Sequence, residues 1–315
     1  MTEWWSYSLR DLLLFSPRTY YRLFADPRQV RATQRYGCTG GGTGVSKLLE
    51  GKIAIVTGGA KGLGYGISRA MAEAGAALLI TGRDGRATDK VAAEIRSEFG
   101  TPAVGMSADM AIKEQVEAMV ARAVAEFGGI DTLVTNASSL SPNVLLEHKT
   151  DEMLADTLAM GVWGTWWAMR AALPHMKQRG GGSVVNFYSI DADTGAWLHS
   201  DYNINMMGIL GLTRSAAVEW GRFGIRVNAI APTGLGQVFA RLVKDVPGFL
   251  EMATANNPLK RAGDPEKDIG PVVVFLASEM ARFITGEMIN VDGGQNLPGY
   301  VSVPHNLDEL EGSGA

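Results

Sequence analysis

The stretch Lys52-Ile53-Ala54-Ile55-Val56-Thr57-Gly58-Gly59-Ala60-Lys61-Gly62-Leu63-Gly64 decides how the chain is read. Its first half is a short apolar run rich in β-branched residues, the pattern of a strand buried on both faces. Glycines interrupt it, and Gly62 then opens a helix-like run to Ala74. Glycine admits positive φ and lets the backbone approach a pyrophosphate closely. The helix start offers unpaired N–H groups and the positive end of its dipole to an anion. Glycines alone would serve a tight turn equally well. The strand before them and the helix after them are the context that a dinucleotide-binding turn requires.

Outward from this turn the alternation repeats. Strand-like runs at Ala77–Thr81, Ala103–Ser107, Ile130–Thr135, Ser183–Phe187, Ile225–Ile230 and Glu287–Val291 are separated by helix-like runs at Arg86–Phe99, Ile112–Phe127, Asp151–Gln178 and Asp201–Trp220. Apolar strands alternating with helices predict an α/β fold with a doubly wound parallel sheet covered on both faces. Gly234 to Arg261 is less regular and is expected to be a mobile segment over a site.

Four segments are expected. Residues 1–36 form an aromatic, basic helical leader, 37–46 a Gly-rich linker, 47–298 the body, and 299–315 a polar, acidic tail that frays. The leader carries Trp4, Trp5, Tyr7, Phe15, Tyr20, Tyr21 and Phe24, with six arginines against three acidic residues. Ser16-Pro17 reads as a helix N-cap followed by proline at the first helical position. Such an arm suits docking on the body, a sister subunit or a partner protein. Its composition equally suits a membrane surface, and a cleavable presequence is a further reading.

Composition narrows the function classes. Hydrophobic residues make up 46% and charged residues 20%, so a large core is available and global disorder is excluded. The net charge of −4 disfavours a nucleic-acid binder. Cys38 is the single cysteine, which rules out an intrachain disulfide and a cysteine-based metal cluster. No run approaches the ~20 apolar residues of a spanning helix, and the first residues lack a secretory pattern. A cytoplasmic protein, in part peripheral to a membrane through residues 1–36, is expected.

Several motifs in order resemble one family, the short-chain dehydrogenases/reductases. Thr57 through Gly64 match its TGxxxGxG turn. Asn136-Ala137-Ser138 resembles the NAG that ends the fourth strand, with Ser in place of Gly. Ser189 stands thirteen residues before Tyr202. Gly224-Ile225-Arg226-Val227-Asn228 with Pro232, and Ile284-Thr285-Gly286 through Gly294, look like the sixth strand and the C-terminal strand. The likeness covers about 250 residues and implies a seven-stranded Rossmann fold, commonly assembled as a homodimer or tetramer. The helix carrying Trp163, Trp166 and Trp167 would be the subunit contact.

The resemblance also implies a reaction and its residues. A hydride passes between a nicotinamide and a carbonyl or alcohol carbon of a small molecule. Tyr202 would exchange the proton and Ser189 would hold the substrate oxygen. Gly58, Lys61, Gly62, Leu63, Gly64, Arg83, Asp109, Met110, Asn136, Ala137, Tyr202, Pro232 and Thr233 would hold the cofactor. In relatives that prefer NAD an acidic residue ends the second strand. Here Gly82 stands there, followed by Arg83, with Lys61 nearby, so NADP(H) is favoured over NAD(H), although Asp84 is adjacent.

Three positions depart from the pattern. The lysine four residues after the tyrosine is Met206, which supplies neither charge nor donor. Aligned on Gly164, the usual asparagine of the long helix is Gly161. Thr233 replaces a glycine after Pro232. An unassisted phenol titrates near ~10 and nearby carboxylates raise it further, so Tyr202 is expected to serve reduction better than oxidation. Activity is expected to be impaired, and a catalytically silent scaffold is the alternative. Asp191, Asp193, His199 and Asp201 have the residue types of a hard-cation site, but solvated residues beside a cleft share that composition. No metal is expected. His199 would partly replace the missing positive charge.

Overall fold

All seven strands run parallel in one sheet with the order β3-β2-β1-β4-β5-β6-β7 in a computed structural model. The strands are β1 Ile53–Thr57, β2 Ala77–Gly82, β3 Ala103–Ser107, β4 Thr132–Thr135, β5 Gly182–Phe187, β6 Ile225–Pro232 and β7 Met288–Val291. The structure describes residues 47–138, 141–255 and 257–297. The leader, the linker and the tail proposed from the sequence lie outside them.

The strands alternate their side chains between two cores. From β1, Ala54 and Val56 join one cluster with Leu78, Ile80, Val134 and Val185. Ile55 joins the other with Leu79, Leu133, Val184 and Val227. Every residue of β1 and β4 is buried, which is why neither run carries a charged residue or alternates apolar with polar positions. Helices α1 Gly62–Glu73, α2 Gly85–Phe99, α3 Lys113–Phe127, α4 Asp151–Leu158 and α5 Gly164–Gln178 follow the first four strands. Next come α6 Ile190–Thr194, α7 Ser200–Trp220, α8 Gln237–Asp245, α9 Phe249–Thr254 and α10 Gly270–Ala277. Asp84 caps α2 by accepting the Ala87 N–H at 3.2 Å, and Thr150 caps α4 by accepting the Met153 N–H.

Two expectations are corrected. The helix expected over Asp151–Gln178 is broken by a π-turn at Ala159–Trp163. The stretch after Gly234, read as irregular, contains the helices α8 and α9. Helix α8 is an amphipathic nine-residue segment whose flanking glycines and proline hid its periodicity.

Chain order places the site. The chain runs outward from β1 to β2 and β3, then returns to β4 on the other side of β1. Loops leaving the carboxyl ends of β1 and β4 therefore diverge and open a crevice at this reversal. The two ends are level, since Thr57 pairs with Thr135. Among the described residues no helix is long and apolar enough to cross a membrane.

Candidate active site

A cleft of about 950 Å³ occupies that crevice. Its floor is the turn from β1 into α1. Gly58 sits at φ +63°, a conformation that side chains rarely adopt. A Cβ on Gly64 would lie 2.1 Å from the Gly58 carbonyl oxygen, so only glycine lets the first turn of α1 rest on the strand end. The turn is then locked from β4. Asn136 Nδ2 donates to the carbonyls of Thr57 and Gly58 at 2.9 and 3.2 Å, and the Ala137 N–H donates to Thr57 Oγ1 at 3.0 Å. The first turn of α1 has no side-chain cap and no acidic residue, which leaves its N–H groups available to an anion.

Of the residues expected to hold a cofactor, Gly58, Lys61, Gly62, Leu63, Arg83, Asp109, Met110, Asn136, Ala137 and Tyr202 border this one cleft. Gly64 lies behind the turn as packing. Pro232 and Thr233 do not border it; the Thr233 N–H donates to Val291 O at 3.0 Å and its carbonyl accepts from the Gly263 N–H, which ties that loop to the sheet edge. Lys61 Nζ lies 3.5 Å from Asp84 Oδ2. Asp84 has its carboxyl held below the usual range, first by the Ala87 N–H against the effect of burial and then by Lys61.

Tyr202 rises from the first turn of α7 into the same cleft. Burial and the Asp191 carboxylate push its phenol up, and a hydrogen bond with Ser189 pulls it down, for a net value of about 12. The hydroxyl is therefore protonated at neutral pH. Ser189 caps α6 by accepting the Asp191 N–H at 3.3 Å. Met206 is 2% exposed and belongs to an apolar cluster with Tyr188, Ile209, Leu210, Ala229 and Ala231.

The position of Gly161 is filled from elsewhere. A Cβ there would lie 2.0 Å from Asn205 Oδ1, because Asn205 on α7 inserts its amide into the π-turn and accepts the Val162 N–H at 2.8 Å. The acidic cluster does not converge. Asp201 pairs with Lys149 at 2.7 Å and accepts the Thr157 hydroxyl at 2.8 Å, while Asp193 accepts the Tyr188 hydroxyl at 2.7 Å. Asp191 accepts from His199 Nδ1 at 3.0 Å. Among the described residues no group of three or more His, Cys, Asp or Glu side chains is placed to hold a metal.

Sequence reasoning missed the far wall, where Met160, Phe239, Leu242 and Phe249 line the cleft. The two phenylalanine rings meet edge to face at 5.3 Å. An amphipathic reading of α8 would have found two of these residues.

A family model described as Enoyl-(Acyl carrier protein) reductase matches residues 58–296. The chain belongs to the short-chain dehydrogenase/reductase family. This family member is 33% identical over 253 residues to a 12alpha-hydroxysteroid dehydrogenase of Clostridium sp., covering 78% of the chain and 97% of the relative. It is 37% identical to an L-rhamnose 1-dehydrogenase (NAD(P)(+)) of Azotobacter vinelandii, with 78% and 97% coverage. It superposes with a TM-score of 0.74 on the crystal structure of a putative short-chain alcohol dehydrogenase from Sinorhizobium meliloti, at 32% identity, covering 80% of the chain and 98% of that structure. The chain is an oxidoreductase of the short-chain type that uses a nicotinamide cofactor. The cleft suits that group: it is large enough, its turn leaves the α1 N–H groups unused, and Lys61 and Arg83 are cations at its rim.

Proposed function

We propose that this oxidoreductase is an NADP(H)-dependent reductase of apolar, ring-bearing ketones. The observation that carries the reading is the opening of Tyr202 into the cleft floored by the glycine turn, opposite an apolar wall. Bound there, the nicotinamide supplies the hydride. The uncapped start of α1 would hold the diphosphate, and Lys61 with Arg83 would receive a 2′-phosphate through charge-assisted hydrogen bonds. Gly82 leaves no carboxylate at the end of β2 to compete for a ribose hydroxyl. Ser189 would orient the substrate oxygen, and Tyr202, protonated at neutral pH, would donate its proton to that oxygen. Phe239, Leu242, Phe249 and Met160 favour a hydrophobic ring over a sugar. Exposed Trp163 and Trp166, at 51% and 39%, support a homo-oligomeric contact on that helix.

Burial of Met206 supports a second reading, a relative that binds nucleotide without turnover. Fluorescence titration with NADPH and NADH, followed by NADPH oxidation over a panel of cyclic ketones and sugar-derived carbonyls, separates the two. We expect tighter NADPH binding, turnover of cyclic ketones, and a loss of about 10²-fold or more in kcat for Tyr202→Phe. Binding without turnover, in the natural chain and in Met206→Lys alike, establishes the silent reading instead.

A further inference from the structure

Resting on the reductase reading, we propose that Asp191 and His199 form a proton relay that recharges Tyr202. The family's reaction leaves the tyrosine as a phenolate after each reduction, and at Met206 the chain offers no group to return the proton. The structure offers one on the opposite side. His199 lies immediately before α7, its ring meets the Tyr202 ring edge-on with centroids 6.0 Å apart, and both rings border the cleft with Asp191.

The dyad is built for transfer rather than for packing. Asp191 Oδ2 accepts from His199 Nδ1 at 3.0 Å, which fixes the tautomer and leaves Nε2 to exchange protons. The His199 side chain is 24% exposed, so it reaches solvent on one side and the phenol on the other. In the proposed relay a water between phenol and imidazole would carry the proton across.

The other charges around the ring are already engaged. On the same loop Asp193 is bonded to the Tyr188 hydroxyl. On α7 Asp201 is paired with Lys149. The facing wall from α8 and α9 contributes Phe239, Leu242 and Phe249, which carry no charge. Lys61, Arg83, Asp84 and Asp109 border the cleft at its nucleotide-binding part. Asp191 is thus the one carboxylate hydrogen-bonded to the imidazole among the described residues.

The protons balance over one turnover. The carbonyl carbon gains the hydride, and its oxygen takes the proton of Tyr202 Oη. The imidazolium of His199 then passes one proton to the phenolate through the water and becomes neutral. Bulk solvent returns a proton to His199.

Four chains test this: the natural sequence, His199→Ala, Asp191→Asn and Tyr202→Phe. With a cyclic ketone and NADPH we expect His199→Ala to lose about 10²-fold in kcat with little change in KM, and Asp191→Asn to lose about tenfold. Added imidazole should restore part of the rate of His199→Ala, which a packing defect would not allow. Independently of turnover, proton NMR of the coenzyme-bound protein should show a slowly exchanging imidazole N–H resonance that is absent in Asp191→Asn and in His199→Ala. An unchanged kcat in His199→Ala, with Tyr202→Phe still impaired, overturns the relay alone. Full activity in Tyr202→Phe, or no turnover in the natural chain, overturns the reductase reading and the relay with it.

Discussion

At the scale of single residues, Gly161 and Asn205 behave as one unit although 44 positions separate them. Asn205 is 1% exposed and its Oδ1 holds the Val162 N–H at 2.8 Å, while its Nδ2 finds no partner among the described residues. The amide sits where any Cβ at 161 would have to go. Gly161→Ala should therefore destabilise the protein by about 1–3 kcal/mol through overpacking. Asn205→Ala should cost about 1–2 kcal/mol through the lost hydrogen bond and the space it leaves. In the double variant the methyl enters that space, so the combined loss should fall well short of the sum. Urea unfolding of the three variants measures the coupling; strict additivity would show that the two positions are independent. Sequence alignment alone showed Gly161 as a missing side chain. It carried no sign that a neighbouring helix supplies an amide to the same space.

At the scale of elements, the loop after β4 is fastened to the start of α7 by a buried ion pair. Lys149 is 6% exposed and Asp201 2%, and the ammonium also donates to Ser141 Oγ at 2.5 Å and to the Pro142 carbonyl at 2.9 Å. Burial pushes the Asp201 carboxyl up, but Lys149, Ser141 and Thr157 outweigh it and hold the group at about 2. Its folded value is depressed, so its contribution to stability is complete above the ordinary carboxylate range and is lost as pH falls toward 2. Lys149→Met strands a buried carboxylate and should cost about 3–5 kcal/mol near neutrality. That cost should shrink with acidification, because the stranded group can then take up a proton. Denaturant midpoints from neutral pH down to about pH 3 should show the two chains converging; a gap constant with pH would mean that Lys149 acts by packing alone. The pairing was illegible because sequence shows charges, not which loop folds over which helix. The strands were legible for the opposite reason. β1 and β4 are buried on both faces, so the runs Ile53–Thr57 and Thr132–Thr135 announce themselves without reference to any partner.

At the scale of the whole molecule, the cleft draws on segments from Gly58 to Phe249, and its two halves were unequally readable. The nucleotide half was legible because a diphosphate-binding turn demands backbone geometry, and that demand is written as glycines at fixed spacing between a strand and a helix. The substrate half was not, because an apolar wall needs only hydrophobic residues that α8 and α9 happen to bring together. The nucleotide half should therefore also couple binding to global stability. A ligand that binds only the folded chain stabilises it by about 2.7 kcal/mol at one hundred times its Kd, which for a body of this size raises Tm by roughly 5–10 °C. NADPH should produce that shift in the natural chain, and Arg83→Ala should shrink it while leaving the shift with NADH nearly intact. Gly64→Ala forces a methyl to within 2.1 Å of the Gly58 carbonyl, so the turn must move. Its thermal transition should come at lower temperature than that of the natural chain and should not respond to either coenzyme at those concentrations. A Gly64→Ala protein that still gained several degrees from NADPH would show that the diphosphate rests somewhere other than on the start of α1.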